Sequence, residues 1–384
     1  MRRGYTLTEL LVVVMIVVML IGVTLPIAKR VMDDSRTREA SRLLSSQFAM
    51  AGVYAARNNR PTGLWFEMEP PIGNSFVRQC TKVYLAEVQA PYAGSTTAAR
   101  GIIRPEAGVN RFVPLVPVTY IDVVDPIGQY DDDANNDGIP DPADQLPADG
   151  RVDEDGAEKA FLLSLIDDGE FFTVRFDRKG EWFRCQRNGS NLDMVAAGFP
   201  PGFGKAFSPG HSFQILRSPR RVGSPMELTA GTCIDMTHSG IGPNGLEFSS
   251  VNNSLVVMLN PNGDVNQIYL DGTPATQSGP LHFLVGQTAK MNVPAAVGLS
   301  DKEASNLADT NNVWTTIGSR TGAVASTENM PPPVDAATLT PTSITIFPGD
   351  PRQQTLNTGL PAHRAIYLGY CRELATARDQ MGGK

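Results

Sequence analysis

Charge is scarce in this 384-residue chain: 19% of residues are Asp, Glu, Lys or Arg, with 40 acids against 33 bases. A net charge of −7 offers no overall basic balance for a phosphate backbone, so nucleic acid is not expected as a partner. Cysteine is scarce too. Cys80, Cys185, Cys233 and Cys371 form no C-x-x-C pair, which argues against a zinc ribbon or a thioredoxin-type redox site. They allow three disulfide pairings, and spacing does not choose among them. The four histidines, His211, His238, His282 and His363, show no H-E-x-x-H spacing. Gly198 to Lys205 is glycine-rich but fails as a P-loop, since Ala206 stands where Ser or Thr is needed; His238-Ser239-Gly240 is no G-x-S-x-G elbow. No enzyme is expected. Glycine and proline are plentiful, 36 and 29 residues, and predict many turns and few long helices after the N-terminus.

One long apolar run is present. Leu10 to Ile21 is unbroken, and Gly22 to Ala28 extends it with a single hydroxyl, at Thr24. That approaches the ~20 residues needed to cross a bilayer, and Arg2 and Arg3 before it fit a cytoplasmic N-terminus. No A-x-A-like cleavage site follows. Glu9 stands at the edge of the run, where a carboxylate is costly and needs a partner. Cleavage between Gly4 and Tyr5 would create one: the Tyr5 ammonium of a neighbouring subunit. Pro26 lacks an N–H and clashes with the carbonyl of Gly22, so the helix is expected to kink or melt between them.

The segment from Arg3 to Val13 resembles the type IV prepilin signature: a short basic leader ending in Gly4, an aromatic Tyr5 at the first mature position, Thr6-Leu7, Glu9 five residues past the cut, then an apolar helix. Tyr5 stands where the family usually has Phe, and Thr8 where Ile is common. The resemblance implies processing by a prepilin peptidase at Gly4 and Tyr5, N-methylation of Tyr5, and assembly through Glu9 and Pro26. The product would be a type II secretion pseudopilus or a type IV pilus, with this chain as a minor subunit. Implied partners are the peptidase, other pilin-like subunits, an inner-membrane assembly platform and membrane lipid. The implied location is the inner membrane, single-pass, with the globular domain in the periplasm or, after assembly, on the cell surface. A pilus-displayed adhesin or substrate-binding module is the alternative.

Beyond Lys29 the pattern turns amphipathic: Ala40, Leu43, Leu44, Phe48, Ala51 and Ala55 share one helical face, ending before Pro61. Strand signals follow at Gly63 to Glu69 and Thr81 to Val88. Hairpins are predicted at 171–185, at 254–270 around Pro261-Asn262-Gly263-Asp264, and at 313–326. The hairpin order resembles H-type minor pseudopilins, at about twice their usual length. The expected fold class is α+β: a long N-terminal transmembrane and spine helix packed on a C-terminal antiparallel β-rich domain. The expected domains are a leader at 1–4, a helix at 5–58 (membrane part 7–28, amphipathic part 29–58) and a globular domain at 59–384. That domain would include an acidic insertion at 130–156, a flexible Ala/Thr/Ser/Pro-rich segment at 292–341 and a C-terminal helix at 362–381. Within the insertion, Asp133, Asn135, Asp137, Asp141 and Asp144 take positions 1, 3, 5, 9 and 12 of a calcium loop. Ile139 offers its carbonyl at position 7, and Gly138 makes the turn. Ca²⁺ is the one cofactor expected.

Overall fold

The computed structural model describes residues 7–70, 77–94, 99–106, 109–115, 157–177, 181–195, 211–291, 305–335, 343–357 and 361–380. The chain divides into two units, Met1–Glu87 with Arg221–Lys384, and an inserted unit, Val88–Arg220. Helix α1 spans Leu7–Asn58, and β1 (Thr62–Glu67), β2 (Gln79–Cys80) and β3 (Lys82–Glu87) follow it. The inserted unit holds β4 (Arg100–Glu106), β5 (Val109–Leu115), α2 (Ala157–Leu165), β6 (Phe171–Phe176), β7 (Phe183–Asn188), β8 (Asn191–Met194) and β9 (Phe213–Arg217). The chain then returns through β10 (Arg220–Glu227), β11 (Thr232–Ile241), β12 (Ser254–Leu259), β13 (Val265–Leu270), β14 (Thr273–Ala275) and β15 (Leu281–Gln287). It closes with β16 (Val313–Ile317), β17 (Val324–Glu328), β18 (Ser343–Ile346), β19 (Gln354–Asn357) and α3 (Pro361–Gln380).

The first unit carries two main antiparallel sheets, ordered β10-β3-β1-β12-β13-β14 and β17-β16-β15-β11-β2. One apolar core joins both to α1. Ala40, Leu44 and Phe48 come from the helix, Leu64, Phe66 and Val257 from the first sheet, and Ile234, Phe283 and Val285 from the second. The rings of Phe66 and Phe283 stack at 4.9 Å, and Phe48 lies 6.0 and 5.9 Å from them. The second sheet is buried on both faces. Along β15, Leu281, Phe283 and Val285 belong to the core shared with α1, while Leu284 joins Trp314, Leu307, Tyr367, Leu368 and Cys371 around α3. Covering both faces replaces alternation with an almost uninterrupted apolar strand. In the inserted unit the sheet order is β4-β5-β8-β7-β6-β9, and its ends meet where Gly101 and His211 exchange backbone hydrogen bonds of 2.7 and 3.0 Å. Its core is built from Phe112, Phe172, Val174, Phe213 and Ile215, with Leu162 and Ile166 near α2.

The three predicted hairpins are present as β6–β7, β12–β13 and β16–β17. Gly263 takes φ +95° in the turn after β12, and Gly322 takes φ +59° after β16. A Cβ on Gly322 would lie 1.7 Å from the Gly263 carbonyl oxygen, so turns from the two sheets meet where only glycine fits.

Four expectations need correction. The fold is mostly antiparallel β, not the α+β arrangement with a transmembrane spine. Among the described residues no helix is long and apolar enough to cross a membrane, which also overturns the single-pass inner-membrane location. The unbroken run Leu10–Ile21 would give only about 18 Å of helix, against about 30 Å of hydrocarbon. The helical backbone continues through Gly22 and Pro26, so the expected melting there does not occur. Residues 305–309, placed in a flexible segment by composition, are buried, with Asn306 fully so.

Candidate functional site

Helix α1 has two unlike ends. In its C-terminal half, Thr37, Ala40, Ser41, Leu44, Phe48, Ala51 and Ala55 recur every three or four residues and are all buried. This is the amphipathic face seen in the sequence, with Leu43 half-buried beside it and two polar members, Thr37 and Ser41, added. Those two are satisfied locally. The Thr37 hydroxyl donates to the Asp33 carbonyl at 3.1 Å, and Ser41 Oγ lies 3.0 Å from Thr315 Oγ1 and 3.1 Å from Ser326 Oγ. Ser45 reaches the same Ser326 hydroxyl at 3.0 Å, so short hydroxyls let the helix approach β16 and β17 closely. Arg38 pairs with Glu328 at 2.9 Å across that contact; the pair is largely exposed and contributes at most about 1 kcal/mol. Burial and the nearby Asp309 hold the Asp34 carboxyl above its usual range.

The N-terminal half is the opposite. Leu7 and every residue from Leu10 to Ile21 is an exposed apolar side chain, from 46% for Val17 to 79% for Leu7. Twelve consecutive residues cover more than three helical turns, so the apolar surface surrounds the helix on all sides. Monomeric proteins rarely leave such a surface open. Glu9 and Pro26 lie on this helix. Gly4 and Tyr5 lie outside the described residues, as do Asp133, Asn135, Asp137, Ile139, Asp141 and Asp144. Among the described residues no cluster of three or more His, Cys, Asp or Glu is placed to hold a metal.

Sequence reasoning missed a second feature, a buried polar network beneath α3. Arg372 is 2% exposed. Its Nη1 donates to the carbonyls of Gly242 and Pro243, its Nη2 to those of His238 and Gly245, and its guanidinium lies 5.2 Å from the Trp314 ring centroid. Burial pulls its pKa down to about 10, partly offset by Glu247. Trp314 donates its indole N–H to Asn329 Oδ1 at 2.9 Å, and Asn329 donates in turn to the Leu307 and Asp309 carbonyls. Asp235, 1% exposed, sits 3.0 Å from His238 Nδ1 and accepts from Asn306 Nδ2 at 3.3 Å. That pair has the geometry of an oriented base. Ser239 Oγ, however, is committed to backbone, donating to the Asp235 carbonyl and accepting from the Leu284 N–H. Burial, with the Arg372 charge, holds His282 neutral, with its pKa lowered to about 3. These residues are up to 137 positions apart in the chain, and no local motif announces them.

All four cysteines are free and buried, and burial pushes each thiol well above its ordinary value. Comparison with protein-family models, with curated proteins and with solved structures gives no match for this chain.

Proposed function

We propose that this chain is a pilin-like structural subunit, cut by a prepilin-type peptidase after Gly4 and built into a filament through the N-terminal half of α1. The observation that carries the reading is the sleeve of exposed apolar side chains from Leu10 to Ile21, held out from a folded unit by the buried half of the same helix. Like helices from other copies would cover it. Three of the four edges of the two main sheets are poor strand acceptors: β10 carries Gly223 at φ +76° and Pro225, β14 carries Pro274, and β2 is only two residues long. The resemblance at Gly4, Tyr5 and Glu9 names the class of filament: a type II secretion pseudopilus or a type IV pilus, with this chain as a minor subunit.

Mass spectrometry of the N-terminal peptide from the native host tests the processing step. A mature start at Tyr5, N-methylated, is expected; an intact Met1, or a start beyond Ile21, refutes the reading. A bulky replacement at Gly4 is expected to leave the leader attached.

A further inference from the structure

The sequence holds three Asn-Gly dipeptides, Asn188-Gly189, Asn244-Gly245 and Asn262-Gly263. A peptide of this kind reacts with itself. The glycine nitrogen attacks the side-chain carbonyl carbon of asparagine, its proton passes to solvent and ammonia leaves, which closes a succinimide ring. Water then opens the ring at one carbonyl to give aspartate, or at the other to give isoaspartate, whose main chain is one carbon longer. Glycine favours the attack because no Cβ hinders a close approach. The fold decides whether the nitrogen is free to turn toward the side chain.

Two of the three sites are held. Asn188 pairs with Asn191 in the β7–β8 ladder, its side-chain amide donates to Asp193 Oδ2 at 3.1 Å, and the Gly189 N–H donates to Asp168 Oδ1 at 2.7 Å. The Gly263 N–H donates to the Asn260 carbonyl at 2.9 Å, and its own carbonyl packs against Gly322. Asn244 differs. It is exposed in the turn after β11, and among the described residues neither its side-chain amide nor the Gly245 N–H makes a hydrogen bond. Arg372 holds the carbonyls on either side of this peptide, that of Pro243 at 3.2 Å from Nη1 and that of Gly245 at 3.1 Å from Nη2. Facing the turn, α3 carries a glycine in its interior, Gly369, where a Cβ would lie 2.0 Å from Asn244 Oδ1. The Asn244 side chain thus fills the place that a larger residue of α3 would need.

We propose that in the folded chain Asn244 converts to aspartate and isoaspartate faster than Asn188 and Asn262, and that the conversion loosens the hold of Arg372 on the turn beneath α3. Isoaspartate inserts one carbon between the Pro243 and Gly245 carbonyls, so a single guanidinium no longer spans both. Either product places a carboxylate against Gly369, where a neutral amide oxygen makes the close approach. Water is the one co-reactant, and neither a second copy nor filament assembly is required.

The test incubates the folded full-length chain at mildly alkaline pH and follows the three Asn-Gly peptides by mass spectrometry. Isoaspartate is counted by methyl transfer from S-adenosylmethionine with a protein isoaspartyl methyltransferase. The same chain in denaturant supplies the rate of each site without the fold. Asn244 is expected to convert several-fold faster than Asn188 and Asn262 in the folded chain, with the three rates converging in denaturant. Equal rates in the folded chain, or Asn188 or Asn262 ahead of Asn244, overturn the assignment. So does an Asn244 that stays intact while the denatured chain converts. The converted fraction carries an added negative charge and separates by ion exchange. It is expected to unfold at a lower denaturant concentration than the unconverted fraction, and an unchanged midpoint overturns the effect on Arg372.

Discussion

Replacing Val14 and Val18 together by lysine separates folding from assembly. Both side chains are more than half exposed, 54% and 62%, so the isolated subunit loses no buried contact, and lysine is a good helix former. The fold should melt within about 1 kcal/mol of the parent, as surface substitutions usually do. Assembly should respond differently. Burying the twelve residues Leu10–Ile21 between helices is worth about 1 kcal/mol each at their half-exposed starting point, so roughly 12 kcal/mol gross. Association costs on the order of 4–15 kcal/mol before any contact is repaid, so the margin is thin. Two lysines remove about 2 kcal/mol of that burial and add two charges that an apolar bundle desolvates at several kcal/mol. A loss of at least about a hundredfold in assembly affinity follows, since each 1.4 kcal/mol is a factor of ten. Sedimentation velocity across a concentration series, with electron microscopy of the same samples, reads this directly. If the double variant assembles with the parent's concentration dependence, the exposed sleeve is not the joint.

Other substitutions probe the rest of the molecule. Phe48→Ala empties the ring site between Phe66 and Phe283 and should cost about 3–5 kcal/mol, read as a lower denaturant midpoint with assembly of the folded fraction retained. Arg372→Ala leaves four carbonyls, that of Gly242 in a buried bond, without their donor and should destabilise by about 3 kcal/mol, while Arg372→Lys recovers only part of this because one ammonium cannot match the fork. His282 is held neutral with a folded pKa near 3 against 6.5 unfolded, so the unfolded chain binds its proton first. Stability therefore falls as pH drops below 6.5, by about 2 kcal/mol at pH 5 from this group, and His282→Leu should flatten that part of the pH profile in equilibrium unfolding. Calorimetry with calcium and with chelator should show heat and a raised melting temperature that Asp133→Ala with Asp137→Ala abolishes.

Local patterning announced what local forces decide. The three- and four-residue spacing from Ala40 to Ala55 marked the buried face of α1, because a helix displays its packing stripe in its own sequence. The turn at Pro261-Asn262-Gly263-Asp264 marked the β12–β13 hairpin, because a positive φ asks for glycine wherever it occurs. The segment 292–341 misled for the opposite reason. Ala, Thr, Ser and Pro look like linker composition, yet Asn306, Asn312 and Asn329 are buried with their amides bonded to backbone carbonyls. Polar residues read as surface until their partners are known, and these partners come from β15 and from neighbouring turns. The membrane assignment counted Gly22 to Ala28 with the apolar run, whereas among the described residues no helix is long and apolar enough to cross a membrane.

A total of −7 excludes a basic protein, but it averages over position, and electrostatic recognition depends on where charges stand within about a Debye length of one another. Eleven carboxylates fall within 131–158, while the rest of the chain is net positive by three. The same holds for α1, whose apolar sleeve and amphipathic stripe merge into one long helix unless its two halves are read separately. In each case the informative quantity is a difference between segments: an exposed apolar end beside a buried one, an acidic stretch in a chain otherwise net positive. A chain that folds alone and then joins its copies, as proposed for this one, needs such differences, since contacts reserved for other copies cannot also be satisfied within one.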